Sequence, residues 1–406
     1  MTKQGSAGAG AGQADALIDY LVGFREELAR SGYGPLRSGA HLELFADLCG
    51  WLEREGVTLA ELGSERVAAF LDDRRRRGQR DLVSRTGVRS LVGYLTGVGA
   101  IPGQGFVVPE GPGRPVLERY RHYLETERGL TAQTVERYVG LAGRLATWLE
   151  RGGAVDWQRV RARDVTRFLL GSCPAPRGGH APDIVPALRS FLRFCHLEGV
   201  IPVRLDGAVP SVAGRRMSPL PRGISAGELE RLLASCDRSR ARGRRDYAIL
   251  VVLSRLGLRA GEVAAMALED LDWRRGELVV RGKAGREEAL PLPADVGEAI
   301  AGYLRSGRPE ADCRSVFLRC YAPRRGLSVP AVSGIVYDAC DRAGIARISA
   351  HRLRHTAASQ MLAKGASLAE VGEALRQRSA ASTAIYAKVD RGRLAALARP
   401  WPGSAR

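Results

Sequence analysis

Two stretches rich in glycine and proline divide the chain into three segments, and this division constrains the fold more than any other feature of the sequence. The stretches occupy residues 103–115 and 209–223. Glycine and proline interrupt helices and strands, so both stretches are predicted to be linkers. A tail of small residues, 1–13, precedes the first segment. The segments span residues 14–102, 114–205 and 220–406, and each is long enough to bury its own core.

The first two segments share a sequence pattern. Trp51-Leu-Glu-Arg matches Trp148-Leu-Glu-Arg, and Phe70-Leu matches Phe168-Leu, at offsets of 97 and 98 residues. A period this long does not fit a solenoid repeat, so we interpret the two segments as copies of one small domain. Their leucines recur at helical spacing without strand-like alternation, which predicts two helical domains. The alternative is a chance match between two unrelated leucine-rich bundles.

The third segment combines helices with one small sheet. Ser225 and Glu228 form a capping-box pattern at the start of a helix, and Gly257 follows an apolar helix as a stop signal. Two alternating runs, 277–281 and 287–292, flank a glycine-containing turn and predict a β-hairpin. Further helices are predicted at residues 294–305, 330–343, 351–364 and 367–377.

The charge of the chain indicates a polyanionic partner. Lysine and arginine number 62 against 44 aspartates and glutamates, which gives a net charge of +18. Only four of the basic residues are lysines, and the arginine side chain is the better fork for phosphate oxygens. A GC-rich genome would also raise the share of arginine, but it would not explain the excess of base over acid. The charge therefore predicts a partner rich in negative charge, without identifying it.

Cysteine usage and hydropathy indicate a protein of the reducing cytoplasm. The seven cysteines are scattered and form no C-x-x-C pair, so neither a zinc site nor a disulfide framework is predicted. No apolar run reaches 18 residues, and the N-terminal tail lacks the features of a signal peptide. We expect no membrane association, no metal and no small-molecule cofactor.

Four pieces of the third segment carry residues suited to phosphodiester chemistry. They are Arg259 in GLRAGE, Lys283 in the hairpin turn, His351 and Arg354 in HRLRH, and Tyr386 in STAIYAKVD. This set, in this order, resembles the tyrosine recombinase or phage integrase family. The resemblance covers residues 220–395 and extends to the preceding helical segment, which looks like the family's DNA-binding core domain. It implies two helical, SAM-like DNA-binding domains followed by a mixed α+β, mainly helical catalytic domain.

The chemistry of these residue types agrees with the resemblance. Attack on a phosphodiester builds negative charge on the non-bridging oxygens, and Arg259 and Arg354 can each donate two hydrogen bonds to one phosphate. His351 lies three residues before Arg354, on the same face of a predicted helix, so both side chains can reach that phosphate. His351 is expected to donate to the phosphate or to accept the nucleophile's proton.

Tyr386 is the expected nucleophile and Lys283 the expected general acid. Nearby cations must stabilise the phenolate, because a free phenol has a pKa of about 10. A lysine, unlike an arginine, can release a proton to the leaving 5′ oxygen. Attack gives a phosphotyrosine bond that conserves the energy of the broken linkage, so neither ATP nor metal is required. The resemblance implies a bond to the 3′ phosphate and a homo-tetramer on two DNA sites.

One position departs from the family pattern. The family usually has histidine or tryptophan nine residues before the tyrosine, and this chain has Gln377. A glutamine still donates an N–H to phosphate, so we expect weakened rather than abolished chemistry, with Arg376 and Arg378 in a position to compensate. Two alternatives stay open. One is a transposase-like or topoisomerase-like member that uses the same tyrosine chemistry on a different DNA target, and the other is a DNA-binding protein that has lost catalysis, with Gln377 as its first sign. Singly, Arg259 could be a capping cation and Tyr386 a packed aromatic.

Overall fold

The structure is a computed structural model that describes residues 7–101, 108, 111, 113–150, 153–172, 181–209, 223–282 and 287–376. Within these ranges the chain is mainly helical, as the sequence predicts. No helix among them is long and apolar enough to cross a membrane. No group of histidine, cysteine, aspartate and glutamate side chains in the same ranges could hold a metal ion.

The first two segments contain their helices in the same order. The first has helices α1 (Ala7–Arg30), α2 (Pro35–Glu55), α3 (Ser64–Arg76) and α4 (Arg89–Gly97), and the second has α5 (Arg114–Thr126), α6 (Ala132–Leu149), α7 (Ala162–Ser172) and α8 (Ala181–Leu197). A short 3₁₀ helix separates the second helix from the third in each segment, at Leu59–Glu61 and at Trp157–Arg159. The predicted helical architecture of both segments is confirmed.

The two segments also repeat one aromatic contact. Trp51 on α2 packs against Phe70 on α3 with a ring separation of 5.8 Å and an interplanar angle of 60°. Trp148 on α6 packs against Phe168 on α7 at 5.9 Å and 63°. These four residues are the ones that align in the sequence. The duplication stays a prediction, and the repeated contact supports it.

The third segment contains the predicted hairpin within a small antiparallel sheet. Its elements are α9 (Ala226–Ala234), α10 (Ala241–Arg255), α11 (Ala260–Ala265), β1 (Leu271–Asp272), β2 (Glu277–Arg281), β3 (Glu287–Pro291), α12 (Ala294–Ser306), α13 (Val329–Ala343), α14 (Ala350–Ala363) and α15 (Leu368–Ala374). The strands follow the order β1-β2-β3, and Leu278 of β2 pairs with Leu290 of β3. Strand β1 was not predicted, because two residues show no periodicity.

Helix α10 forms the centre of the third segment. Its residues Ile249, Leu250, Val252 and Leu253 are fully buried in one apolar core. Leu256 caps the helix, and Gly257 follows it with φ +60°, a left-handed conformation that favours glycine. The buried helix α10 therefore ends in a sharp turn at Gly257, and the candidate site begins at that turn.

Candidate active site

Arg259 lies at the start of α11 and its side chain is held by Glu262. The residue has extended backbone angles (φ −76°, ψ 150°) as the N-cap of the helix. Its backbone N–H donates to Glu262 Oε2 at 2.8 Å, and its Nη1 donates to Glu262 Oε1 at 2.6 Å. The Arg259 side chain nevertheless keeps 48% of its surface exposed. The guanidinium is thus oriented and still accessible to an anion from solvent.

Glu262 also binds a second arginine. Nη2 of Arg376, which lies just beyond α15, donates to Glu262 Oε2 at 2.8 Å. Both side chains are buried, with exposed fractions of 6% for Arg376 and 7% for Glu262. Burial alone raises the Glu262 pKa, but the Arg259 backbone N–H and the charge of Arg376 outweigh it, so the pKa lies below its ordinary value. Glu262 is therefore ionised at neutral pH.

Arg354 connects the turn after α10 to the end of α15. Its Nη1 donates to the carbonyl oxygen of Gly257 at 2.6 Å, and its Nη2 donates to the carbonyl oxygen of Leu375. The residue is 1% exposed, so these carbonyls fix a guanidinium that lies inside the protein. The sequence predicted an arginine facing phosphate. In the structure two of its nitrogens donate to backbone carbonyls, and its contact with phosphate stays a prediction.

His351 shares helix α14 with Arg354, as the sequence predicts, and lies within the field of both arginines. Neighbouring protein atoms remove part of the hydration of its imidazole, which lowers its pKa most, and the charges of Arg354 and Arg259 lower it further. The His351 ring meets the His355 ring edge to face, with centroids 4.4 Å apart. Burial and the neighbouring His351 lower the pKa of His355 to about 4. Both imidazoles are neutral at pH 7.

Three of the six candidate residues therefore come together. Arg259 lies far from His351 and Arg354 in the sequence, yet the turn after α10 and helix α14 bring all three to one place. Lys283, Gln377 and Tyr386 lie outside the described residues. At the end of β2, two residues before Lys283, Arg281 pairs with the buried Asp270 at 2.7 Å.

Sequence reasoning missed the contribution of the segment that follows α15. Leu375 supplies a carbonyl to Arg354, and Arg376 supplies a guanidinium to Glu262. The sequence suggested that Arg376 could compensate for Gln377 at the phosphate, but the structure buries its side chain against Glu262. An arginine directly after a helix end was the one local signal, and it did not identify the partner.

The sequence of the chain matches a known protein family. Residues 223–393 match the model of the phage integrase family, and residues 117–199 match the phage integrase N-terminal SAM-like domain. The chain is 39% identical to the putative integrase/recombinase y4rA of Sinorhizobium fredii, over 95% of each chain. It is 30% identical to the tyrosine recombinase XerD of Mycobacterium tuberculosis, over 71% of this chain and 96% of XerD.

A solved structure supports the same assignment at the level of fold. The XerH site-specific recombinase, bound to its palindromic difH substrate in a post-cleavage complex, matches with a TM-score of 0.56 at 17% identity. The match covers 73% of this chain and 99% of XerH. The family models and the two relatives show that the chain belongs to the phage integrase family of tyrosine recombinases, enzymes that break and rejoin DNA.

Proposed function

We propose that the chain is a site-specific DNA recombinase or integrase that cleaves and rejoins strands through a covalent bond between Tyr386 and a 3′ phosphate of DNA. The observation that carries this proposal is the meeting of Arg259, His351 and Arg354 beside the ionised Glu262. The site residues, the covalent intermediate and the strand polarity are all parts of the proposal.

The arginines supply the positive charge that phosphoryl transfer needs. As the nucleophile approaches, negative charge grows on the two non-bridging oxygens, and donors that are already oriented stabilise it most. Arg259 is oriented by Glu262 and half exposed, so it is the cation that meets the phosphate first. Arg354 is fixed beneath the site by two carbonyls and adds its field from a less hydrated position.

The proton transfers follow from the ionisation state of the side chains. The Tyr386 hydroxyl loses its proton as its oxygen bonds to phosphorus, and the neutral imidazole of His351 can accept that proton. The bond from phosphorus to the 5′ oxygen breaks, and Lys283 donates a proton to that oxygen. A 5′ hydroxyl of the partner strand then attacks the phosphotyrosine, which restores a DNA phosphodiester and the free tyrosine. The sequence of steps conserves one ester bond throughout and uses no cofactor.

The same chemistry sets the partners. Exchange of two duplexes requires four strand cleavages, and each cleavage uses one tyrosine, so we infer a homo-tetramer on two double-stranded DNA sites. In this proposal residues 220–406 form the catalytic domain and residues 114–205 the core DNA-binding domain. Residues 14–102 form a second copy of the latter, which extends the grip on DNA.

Gln377 favours one second candidate function. At this position the resemblance implies histidine or tryptophan, and glutamine replaces the aromatic ring with a flexible amide. A protein with the same fold that binds DNA with weakened or no cleavage is therefore the alternative. The two candidates differ in whether a covalent adduct forms.

A trapping experiment separates them. A labelled duplex from the DNA that flanks the gene, nicked beside the scissile phosphate, releases a short 5′ hydroxyl fragment and traps the adduct. We expect labelled protein with the wild type, none with Tyr386→Phe, and a loss of about 10²-fold with Arg259→Ala. Arg347→Ala removes the same charge from an exposed pair with Asp341 and should cleave normally. Specific DNA binding by the wild type without any adduct would overturn the proposal and favour the binding-only alternative.

A further inference from the structure

Arg376 has a backbone conformation that residues with side chains disfavour. Helix α15 ends at Ala374, and Arg376 follows with φ +54°, in the left-handed region. Glycine is the usual residue at this position after a helix, because it has no Cβ to crowd the carbonyl oxygen. An arginine at this position therefore makes the folded backbone conformation less favourable than a glycine would.

The guanidinium of Arg376 is buried at a further cost. One of its nitrogens, Nη2, donates to Glu262, whereas Nε and Nη1 are buried and have no hydrogen-bond partner among the residues that the structure describes. Burial of unpaired donors on a charged group is unfavourable. Backbone strain and unpaired donors in one residue are typical of functional positions, where the surrounding structure maintains an unfavourable arrangement for the sake of a site.

Glu262 transmits the effect of Arg376 to Arg259. Its Oε1 accepts from Arg259 Nη1, and its Oε2 accepts from Arg376 Nη2 and from the Arg259 backbone N–H. Both oxygens are therefore engaged, which prevents rotation of the carboxylate. Loss of Arg376 would remove the buried cation that holds Oε2. The carboxylate could then rotate, and Oε1, which orients the Arg259 guanidinium, would lose its fixed position.

We propose that Arg376 is a positioning residue for strand cleavage, which holds the Glu262 carboxylate in the orientation that aims Arg259 at the scissile phosphate. The inference rests on the proposed function of the site. Arg376 acts through Glu262 and not on DNA, because its own nitrogens are buried away from solvent. Its loss should slow cleavage while the affinity for DNA stays the same.

Arg376→Gly tests this role without adding strain, since glycine suits the backbone at this position better than arginine. We expect single-turnover cleavage of the nicked duplex to slow by about 10- to 100-fold, the scale of a misplaced catalytic group, with an unchanged Kd for DNA. Guanidinium ion at low millimolar concentration should restore part of the rate by occupying the vacated space. Neutral urea, which has the same shape, should not. Arg347→Ala, with the same loss of charge, should retain the wild-type rate.

Three outcomes would overturn the inference. Arg376→Gly cleaves at the wild-type rate, or it loses DNA affinity in parallel with cleavage, or urea rescues it as well as guanidinium does. In the first case the role of Arg376 would be refuted, but an adduct formed by the wild type would still support the proposed function. A double-mutant cycle with Glu262→Gln, read from urea unfolding, does not depend on cleavage. We expect strong coupling between the two positions, and additive effects would overturn the inference even where no adduct forms.

Discussion

Replacement of Glu262 by glutamine tests the electrostatic centre of the site. Glu262→Gln keeps the size of the side chain and an oxygen that accepts from the Arg259 N–H, but it removes the charge that compensates Arg376. Removal of one partner from a buried ion pair costs about 3–5 kcal/mol. Loss of the ion pair with Arg259 adds little to this cost, because the Arg259 side chain is 48% exposed to solvent. Because the backbone hydrogen bond is retained, we expect a loss of about 3 kcal/mol at pH 7, at the lower end of that range.

The size of this loss should depend on pH. Folding lowers the Glu262 pKa below its ordinary 4.5, so the ionised carboxylate stabilises the folded state above that pH. The stabilisation is lost as the pH falls through the lowered pKa, because the protonated acid then resembles glutamine. The difference between wild type and Glu262→Gln should be constant from pH 7 to about 5 and should shrink at lower pH.

Hydrogen exchange of α10 peptides measures this stability in the full chain. Helix α10 lies in the apolar core of the third segment, so the exchange of its amides reports the unfolding of that core. Asp341→Asn, which breaks the exposed pair with Arg347, is the matched control and should have a much smaller effect. A Glu262→Gln variant as stable as wild type at pH 7, or an effect that does not change down to pH 3.5, would refute the reasoning.

Three further predictions follow from the same contacts. Gly257→Ala should destabilise the third segment by about 2 kcal/mol or more in urea unfolding, since an added Cβ lies 2.5 Å from Leu375 Cδ2 in addition to the left-handed strain. Gly344→Ala has a similar φ of +63° but open space around it, so it should cost only about 1 kcal/mol; equal effects would contradict the contact. Thr356→Val removes the hydroxyl that accepts a buried backbone N–H at 3.0 Å and should cost about 1–3 kcal/mol in the same assay, whereas an unchanged midpoint would be contrary to that role. Cleavage should fall on acidification with a midpoint below the ordinary histidine pKa of 6.5, because the His351 pKa is lowered; a fall centred at or above pH 7 would exclude this ionisation.

The local features of the fold were predictable because short-range chemistry determines them. The capping box of Ser225 and Glu228 forms as the sequence indicates, with both reciprocal hydrogen bonds present. Gly257 ends α10 in a left-handed conformation, and the predicted hairpin strands pair. Helix spacing also placed His351 and Arg354 on one helix. Each of these depends on residues within a few positions of each other.

The connections between distant segments were not predictable in this way. Glu262 and Arg376 are separated by 114 positions, and no periodicity relates them. The sequence also did not predict the surroundings of Arg354, since tertiary packing buries it and brings the carbonyl oxygens of Gly257 and Leu375 within its reach. Backbone acceptors of this kind leave no trace in residue identity, because every residue carries a carbonyl.

Identification of the residue that bonds to DNA tests the proposed function most directly. Trypsin should cut after Arg378 and Lys388, which releases the peptide SAASTAIYAK with Tyr386 as its one tyrosine. Mass spectrometry of the trapped and nuclease-trimmed adduct should find the nucleotide attached to this tyrosine through a 3′ phosphate. A nucleotide on any other residue would contradict the assignment of Tyr386 as the nucleophile, and cleaved DNA that carries no protein would contradict the covalent intermediate.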